Sequence, residues 1–334
     1  MTLVFGLVGG LGLFLYGMQL MGDGLQKTAG DNLRRLLEAL TKTPLIGVLV
    51  GGLVTMIIQS SSATTVMVVG FVNAGLLTLK QAVSVIMGAN IGTTVTAFIV
   101  SLKLTQLALP AIGIGFLLQL TGKRKRTRFI GQTILGFGLL FMGMEVMGNA
   151  LAPLQDNPTF TNILLTLSNN PLLGALAGSV FTGIIQSSSA TTGLVVTMAA
   201  QGLIDLNASL ALVLGSNIGT TVTAALASIG TNLAAKRAAV AHTLFNLFGV
   251  ALFLIIFRPF TALVATTSPL LERQVANSHI IFNVVNTILL LPMISLFVEL
   301  VEKLTPGGCS RTCRTALPGR APARHAIHCA ETGN

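Results

Sequence analysis

The chain is predicted to be an all-α polytopic membrane protein made of two inverted-topology repeats, each with a re-entrant helical hairpin and a discontinuous helix. Three observations predict this. The 334 residues are 52% hydrophobic and only 9% charged, with a mean hydropathy of +0.82. Soluble domains carry about 25% charged residues, and several apolar stretches here reach the roughly 20 residues that cross a bilayer. The second observation is a duplication: Gln59-Ser60-Ser61-Ser62-Ala63-Thr64-Thr65 recurs unchanged at Gln186-Ser187-Ser188-Ser189-Ala190-Thr191-Thr192, 127 residues on. At the same offset Gly88-Ala89-Asn90-Ile91-Gly92-Thr93-Thr94 is matched by Gly215-Ser216-Asn217-Ile218-Gly219-Thr220-Thr221. The third is the placement of the basic residues, which makes the second copy run opposite to the first.

Repeat 1 occupies residues 1–122. Residues 3–22 are an apolar, glycine-rich span, and small residues let helices approach closely in lipid. Met1 to Gly22 has no basic start, so it reads as a retained span rather than a cleaved signal. A polar connector, 23–43, follows. Pro44 opens an apolar run that the Gln59–Thr65 heptad interrupts. Each arm is too short to span, so residues 45–77 are expected to be a re-entrant hairpin with its tip near mid-membrane, where irregular backbone must be buried in protein or line a wet cavity. Residues 81–101 carry Gly88, Asn90 and Gly92 in mid-run and are expected to be a broken helix; a span at 104–121 completes the copy. The basic loop 123–128 leads to repeat 2, residues 129–257. Its first span is 129–149, its connector 150–171, its hairpin 172–200, its broken helix 207–229 and its next span 238–257. A final span is placed at 278–300. Residues 306–334 are rich in Arg, Pro, Ala and Gly, contain all three cysteines (Cys309, Cys313, Cys329) and are expected to be a disordered tail.

With loop 123–128 in the cytoplasm, only Lys103, Arg258 and Arg273 of the 20 basic residues fall outside, a strong positive-inside bias. The expected location is the plasma (inner) membrane, with a short N-terminus outside and the C-terminus cytoplasmic. Each copy crosses three times, because a re-entrant hairpin crosses none, so the second is inserted upside down and the two tips can meet. Inverted repeats with broken helices at the midplane are the architecture of secondary transporters. The net charge of +10 reads as topology signals beside anionic lipid, not as a nucleic-acid surface.

The duplicated polar residues suggest an ion site. Serine and threonine hydroxyls both donate and accept. A helix starting just after each tip presents unpaired N–H groups and a positive dipole end, which attract anions, phosphate included. Gln59, Gln186 and freed carbonyls offer oxygen to a hard cation, and Asn90 and Asn217 add amides. No Lys or Arg lies in the middle of a span, and Glu145, near the outer end of its helix, is the one acid clearly inside one. An anion in such a site calls for co-bound cations, and the scarcity of buried carboxylates favours sodium over protons. The pairs His242/Asn246 and His279/Asn283 are read as packed interhelical hydrogen bonds ahead of any substrate role.

The paired Gln-Ser-Ser-Ser motifs in inverted repeats resemble the type II sodium–phosphate cotransporter family, and the two Asn-Ile-Gly-Thr-Thr blocks resemble its bacterial members. The resemblance covers about residues 3–305. It implies sodium-coupled symport of inorganic phosphate by alternating access, with sodium a co-transported substrate and no cofactor. It implies Gln59, Ser60, Ser61 and Ser62, with Gln186, Ser187, Ser188 and Ser189, as the phosphate and sodium contacts; the serines are assigned to phosphate and the glutamines to sodium. By extension from geometry, Asn90 and Asn217 join the phosphate contacts, and Thr64, Thr65, Thr93, Thr94, Thr191, Thr192, Thr220 and Thr221 the sodium contacts. The alternatives are a sodium-coupled carrier of another oxyanion or small carboxylate, a passive channel, and a membrane sensor. No nucleophile–base pair or metal cluster is visible in the spans, so no enzyme is expected. The expected partners are phosphate, sodium and the lipid bilayer, with a homo-oligomer left open.

Overall fold

The computed structural model describes residues 2–30 and 43–306, and all statements of absence below refer to these. The expected tail lies outside the described residues from residue 307 onward. The two repeats are joined along a seam between α1 (Thr2–Ala29) and α6 (Lys125–Leu151). A Cβ on Gly17 would sit 2.7 Å from the Gly136 carbonyl oxygen, and one on Gly10 would sit 2.9 Å from that of Gly143. Residues rising along α1 thus meet residues falling along α6, and the helices run antiparallel. In this first span the copies align at an offset of 126, one less than at the motifs, so Gly10 and Gly17 correspond to Gly136 and Gly143 and the contact is its own mirror under exchange of the copies. An inverted duplication requires this, and glycine permits it because any side chain would force the backbones apart.

Each hairpin is two short helices joined at the heptad. In the first copy these are α2 (Pro44–Ile58) and α3 (Ser61–Asn73), and in the second α8 (Pro171–Ile185) and α9 (Ser188–Ala200). Proline stands at the first helical position of both α2 and α8, where no N–H is needed. Thr43 caps α2 by accepting from Ile46 N, and Asn170 caps α8 by accepting from Leu173 N. Pairing of threonines locks the arms together: Thr55 Oγ1 donates to Thr64 Oγ1 at 2.9 Å, and Thr182 and Thr191 pair at 2.6 Å.

Behind each hairpin runs the second polar block. In the first copy it is α4 (Leu79–Val100), which is continuous through Gly88–Thr94 and not broken as expected for 81–101. The glycines there are packing devices. Added Cβ atoms would strike the Val48 carbonyl from Gly88 and the Gly52 carbonyl from Gly92, so α4 lies almost backbone to backbone on α2. Thr93 and Thr94 donate to Ala89 O and Ile91 O and stay helical. In the second copy the helix is interrupted as expected, between α10 (Leu206–Gly219) and α11 (Thr221–Ala227). The remaining spans are α5 (Ala108–Thr121) and α12 (Leu233–Ile255).

Two further expectations change. The connector 150–171 contains α7 (Pro158–Asn169), bent 112° from α8. The final span is α14 (Leu271–Leu290), which follows a short α13 (Phe257–Ala265). It is not 278–300, because the chain turns by 88° into α15 (Ile294–Leu304); Pro292 sits in the turn, where it cannot continue the helical ladder. Six helices are long and apolar enough to cross a membrane, or up to eight if each bent pair is one span.

Side-chain bonds between distant segments join residues assigned to the same side of the membrane. Asn73 bonds Asn232, Lys80 bonds Ser295, and Arg237 reaches Glu302 and Thr305 on the side of the basic loop. On the other side Lys103 pairs with Glu272 at 2.7 Å, Gln155 bonds the Gln201 carbonyl and Ser168 bonds Asp205.

Candidate functional site

The two tips are nearly identical in backbone. Gln59 has φ 59° and ψ 24°, and Gln186 has φ 59° and ψ 26°; both are left-handed. For a residue with a Cβ this costs roughly 1–2 kcal/mol, so the sharp reversal is held by its surroundings. The N–H of each glutamine returns to the threonine four residues back, Thr55 or Thr182. Ser60 and Ser187 then cap the outgoing helices by accepting from Ala63 N and Ala190 N, each cap worth about 1 kcal/mol. That leaves the N–H groups of Ser61, Ser62, Ser188 and Ser189 without intrahelical partners. The hydroxyls of these four serines also have no hydrogen bond among the described residues, although Ser61, Ser188 and Ser189 are buried.

Both tips line one cavity of about 380 Å³. It takes in Gln59–Ala63 and Gln186–Ser189 and extends along α1 past Leu15, Met18, Gln19 and Asp23 to Gln26. Gln26 is near the end of α1 where Lys27 lies over the Phe129 ring, so the cavity extends toward the side of the basic loop. A second void, about 10 Å³, lies deeper. It is lined by Ser61, Asn90 and Thr93, by their repeat equivalents Ser188, Asn217 and Thr220, and by His279. A void of that size holds one water or one small ion. Ser61 and Ser188 belong to both spaces.

Hydrogen bonding sorts the candidates chemically. Thr93 and Thr220 donate to Ala89 O and Ser216 O, so they offer the void lone pairs, which suit a cation. The four serines keep their protons free, which suits an anion. Thr94 and Thr221 donate to Ile91 O and Ile218 O, and Thr64 and Thr191 are used between the hairpin arms. Thr65 and Thr192 are buried without a partner. None of these last six lines either space, so the structure does not bring them to the site.

The copies differ at matched places. Gln59 is buried, donates to Met56 O at 2.5 Å and accepts from Thr96 Oγ1 at 2.8 Å. Gln186 is exposed, and Thr223, the counterpart of Thr96, donates to Thr220 O instead. Gly22 of α1 packs on the Ile58 carbonyl at the first tip, whereas Gly148 of α6 packs on Gln201 at the base of the second hairpin.

Two contributions were missed in the sequence. Gln19, Asp23 and Gln26 form a polar stripe at helical spacing, but taking residue 23 as the start of a connector placed two of them outside the membrane. His279 does make the interhelical bond expected of it, with Nε2 3.2 Å from Asn217 Oδ1, and it also lines the small void.

Comparison with known proteins gives the following. The model of a family described as Na+/Pi-cotransporter matches twice in succession, over residues 13–149 and 150–289, which follows the duplication. The chain is 36% identical to uncharacterized protein YqeW of Bacillus subtilis over 77% of this chain and 83% of that one. It is 32% identical to the putative inorganic phosphate export protein YjbB of Escherichia coli K12, over 78% of this chain and 47% of that protein, so it spans about half the length of this relative. It is 38% identical to human sodium-dependent phosphate transport protein 2B, over 29% of this chain and 14% of that one. No solved structure matches the chain. Two successive matches that together span the repeats, with the paired serine tips at one cavity, establish that the chain belongs to the Na+/Pi-cotransporter family.

Proposed function

We propose that the chain is a secondary active transporter that carries inorganic phosphate together with sodium by alternating access, in the plasma membrane, with the basic loop and C-terminus cytoplasmic. The observation that carries this reading is the pair of tips at one cavity: four serines with unspent hydroxyl protons, each at an unpaired helix N-terminus, and no Lys or Arg among the lining residues. Such donors favour an oxyanion. Without fixed positive charge, a divalent anion at this depth needs a mobile cation, and the lone pairs of Thr93 and Thr220 suit sodium. Phosphate contacts are assigned to Ser60, Ser61, Ser62, Ser187, Ser188 and Ser189, and sodium contacts to Gln59, Gln186, Thr93 and Thr220.

The differences between the copies support alternating access, since each half then holds the conformation the other adopts in the opposite state. The cavity as described faces the basic loop and corresponds to the inward-open state. Net direction follows the combined gradient, so the same machine serves uptake or export, consistent with the name of the Escherichia coli relative.

The test is radiolabelled phosphate accumulation in proteoliposomes under an inward sodium gradient against a matched potassium gradient. Sodium-driven accumulation is expected, with phosphate competing better than sulfate or dicarboxylates. Ser61→Ala and Ser188→Ala are each expected to lower it by at least tenfold with normal insertion. Sodium-independent uptake would reject coupling, and full activity in both serine variants would reject the site.

A further inference from the structure

The two repeat-equivalent asparagines, Asn90 and Asn217, have near-identical sequence surroundings, differing next to them only in Ala89 against Ser216, yet their partners turn them opposite ways. Each orientation is anchored on a backbone carbonyl, which can only accept. On the first side the His242 carbonyl takes the amide nitrogen of Asn246 at 2.9 Å, so the Asn246 oxygen must face Asn90. Asn90 accordingly gives an N–H to that oxygen at 3.0 Å. Its own Oδ1 accepts nothing among the described residues and is left for the void that Asn90 lines. On the second side the Val213 carbonyl takes the amide nitrogen of Asn217 at 2.9 Å. The Asn217 oxygen is thereby turned toward His279 Nε2 at 3.2 Å and Asn283 Nδ2 at 3.4 Å, both acting as donors. What remains for the void on this side is the second N–H of Asn217. His242, which stands relative to Asn246 as His279 does to Asn283, has no partner on either ring nitrogen.

We infer that Asn90 is a ligand of the co-transported cation through Oδ1, and that Asn217, held by His279, is excluded from cation binding and offers an N–H to a phosphate oxygen that reaches in past Ser188, which lines both the large cavity and the void. This rests on the phosphate and sodium reading above and deepens it: the site is symmetric in sequence and polar in function. The asparagines are what distinguish the two halves of the void: Asn90 adds an acceptor to the lone pairs of Thr93 and Thr220, and Asn217 adds a donor to the hydroxyls of Ser61 and Ser188. His279 is a positioning residue that acts through Asn217. It carries its proton on Nε2 because the Asn217 oxygen facing it can only accept.

Isosteric charge changes separate the two roles. Purified protein is followed in two ways: sodium-induced shift of the melting temperature without phosphate, and phosphate uptake at saturating sodium. Asn90→Asp adds a charge on the cation side and is expected to lower the sodium concentration giving half the melting shift by threefold or more. Asn217→Asp removes the donor and is expected to raise the KM for phosphate by about tenfold or more, the loss typical of a hydrogen bond to a charged ligand, while moving the sodium half-shift concentration clearly less than Asn90→Asp does. His279→Ala is expected to raise the KM as Asn217→Ala does, with no further rise in the double variant. His279→Gln, whose amide nitrogen reaches where Nε2 stood, should restore it.

Equal movement of sodium half-saturation in the two aspartate variants overturns the inference, as does additivity of His279→Ala with Asn217→Ala. Should an aspartate variant not fold, Asn90→Ser and Asn217→Ser replace the pair; the first should weaken the sodium effect and the second the phosphate effect, and the reverse pattern overturns the assignment. If wild-type protein takes up no phosphate, the transport reading and the Asn217 role fall together, and the sodium melting shift alone then decides Asn90.

Discussion

Replacing Thr96 by valine should move the transporter out of the state described here. Thr96 Oγ1 gives Gln59 Oε1 a 2.8 Å hydrogen bond, and both residues are buried, at 1% and 5% exposure. Valine fills the same volume and removes the donor, which leaves the largely buried Gln59 oxygen without its partner at a cost of about 1–3 kcal/mol. If the bond exists only in the state with the cavity open toward the basic loop, this cost falls on that state alone, and its population relative to the opposite state drops by about 5- to 150-fold. The matched substitution Thr223→Val removes only a hydroxyl that bonds the Thr220 carbonyl of its own helix. It should leave the present state nearly untouched and penalise the opposite one, where Gln186 would take the place of Gln59. A cysteine at Gln26, at the mouth of the cavity, reports the difference once Cys309, Cys313 and Cys329 are replaced. Its labelling by a membrane-impermeant thiol reagent from the basic-loop side should slow in Thr96→Val and be unchanged or faster in Thr223→Val. Equal labelling in all three proteins would mean that the Gln–Thr bond does not distinguish the states, and the exchange of conformations between halves would lose its best structural support.

Three further outcomes are expected. Gln186→Gly should raise the melting temperature by the equivalent of about 1 kcal/mol, because glycine removes the left-handed strain and the Gln186 side chain has no hydrogen bond to lose. Gln59→Gly should gain nothing net, since it forfeits the bonds to Met56 and Thr96; equal shifts in a detergent melting assay would contradict this. Lys103→Met should destabilise by about 2 kcal/mol, below the usual 3–5 for breaking a buried pair, because Lys103 is 45% exposed while Glu272 is only 4% exposed. Adding Glu272→Gln should restore most of the loss, and a double variant as unstable as the single one would argue against an ion-pair role. Asp23→Asn should let phosphate bind with less sodium, measured as phosphate-induced stabilisation against sodium concentration, since the carboxylate is the acid lining the cavity; an unchanged sodium requirement would count against that role.

The hairpins were the most legible part of the sequence. Expected over 45–77 and 172–200, their helices cover Pro44–Asn73 and Pro171–Ala200. Proline at the start of each first arm and a polar heptad inside an apolar run are local signals, and local rules suffice to read them. The continuity of α4 was not legible. Gly88 and Gly92 resemble helix breakers until α2 is seen to lie against them, and only tertiary structure tells a glycine that unwinds from one that admits a neighbour. The turn of α14 into α15 was missed because the apolar run carries on past the bend. Asn90 and Asn217 were assigned together because their blocks match. Their polarity depends on Asn246, His279 and Asn283, which lie outside the repeated motifs and come from helices whose approach no spacing reveals.

The hairpin tip is itself an argument for coupling. Helix α2 ends at Ile58 and α3 begins at Ser61. Between them, Gln59 and Ser60 carry the chain from an end where carbonyls and the negative pole of the dipole gather to one where free N–H groups and the positive pole gather. An acceptor-rich site and a donor-rich site are thus neighbours by construction, and the inverted repeat supplies a second such pair facing the first. A cation and an anion bound there attract by about 4 kcal/mol at a separation of 4 Å and an effective dielectric constant of 20. Either ion bound alone forgoes that energy and leaves an unbalanced charge at membrane depth. Coupling of this kind is reciprocal: if sodium raises the affinity for phosphate by some factor, phosphate must raise the affinity for sodium by the same one. Such reciprocal stabilisation supports the symport proposed above. The two-residue reversal, held in its left-handed conformation by the threonine-linked arms, sets an acceptor-rich helix end beside a donor-rich one, and the duplicated chain carries that arrangement twice.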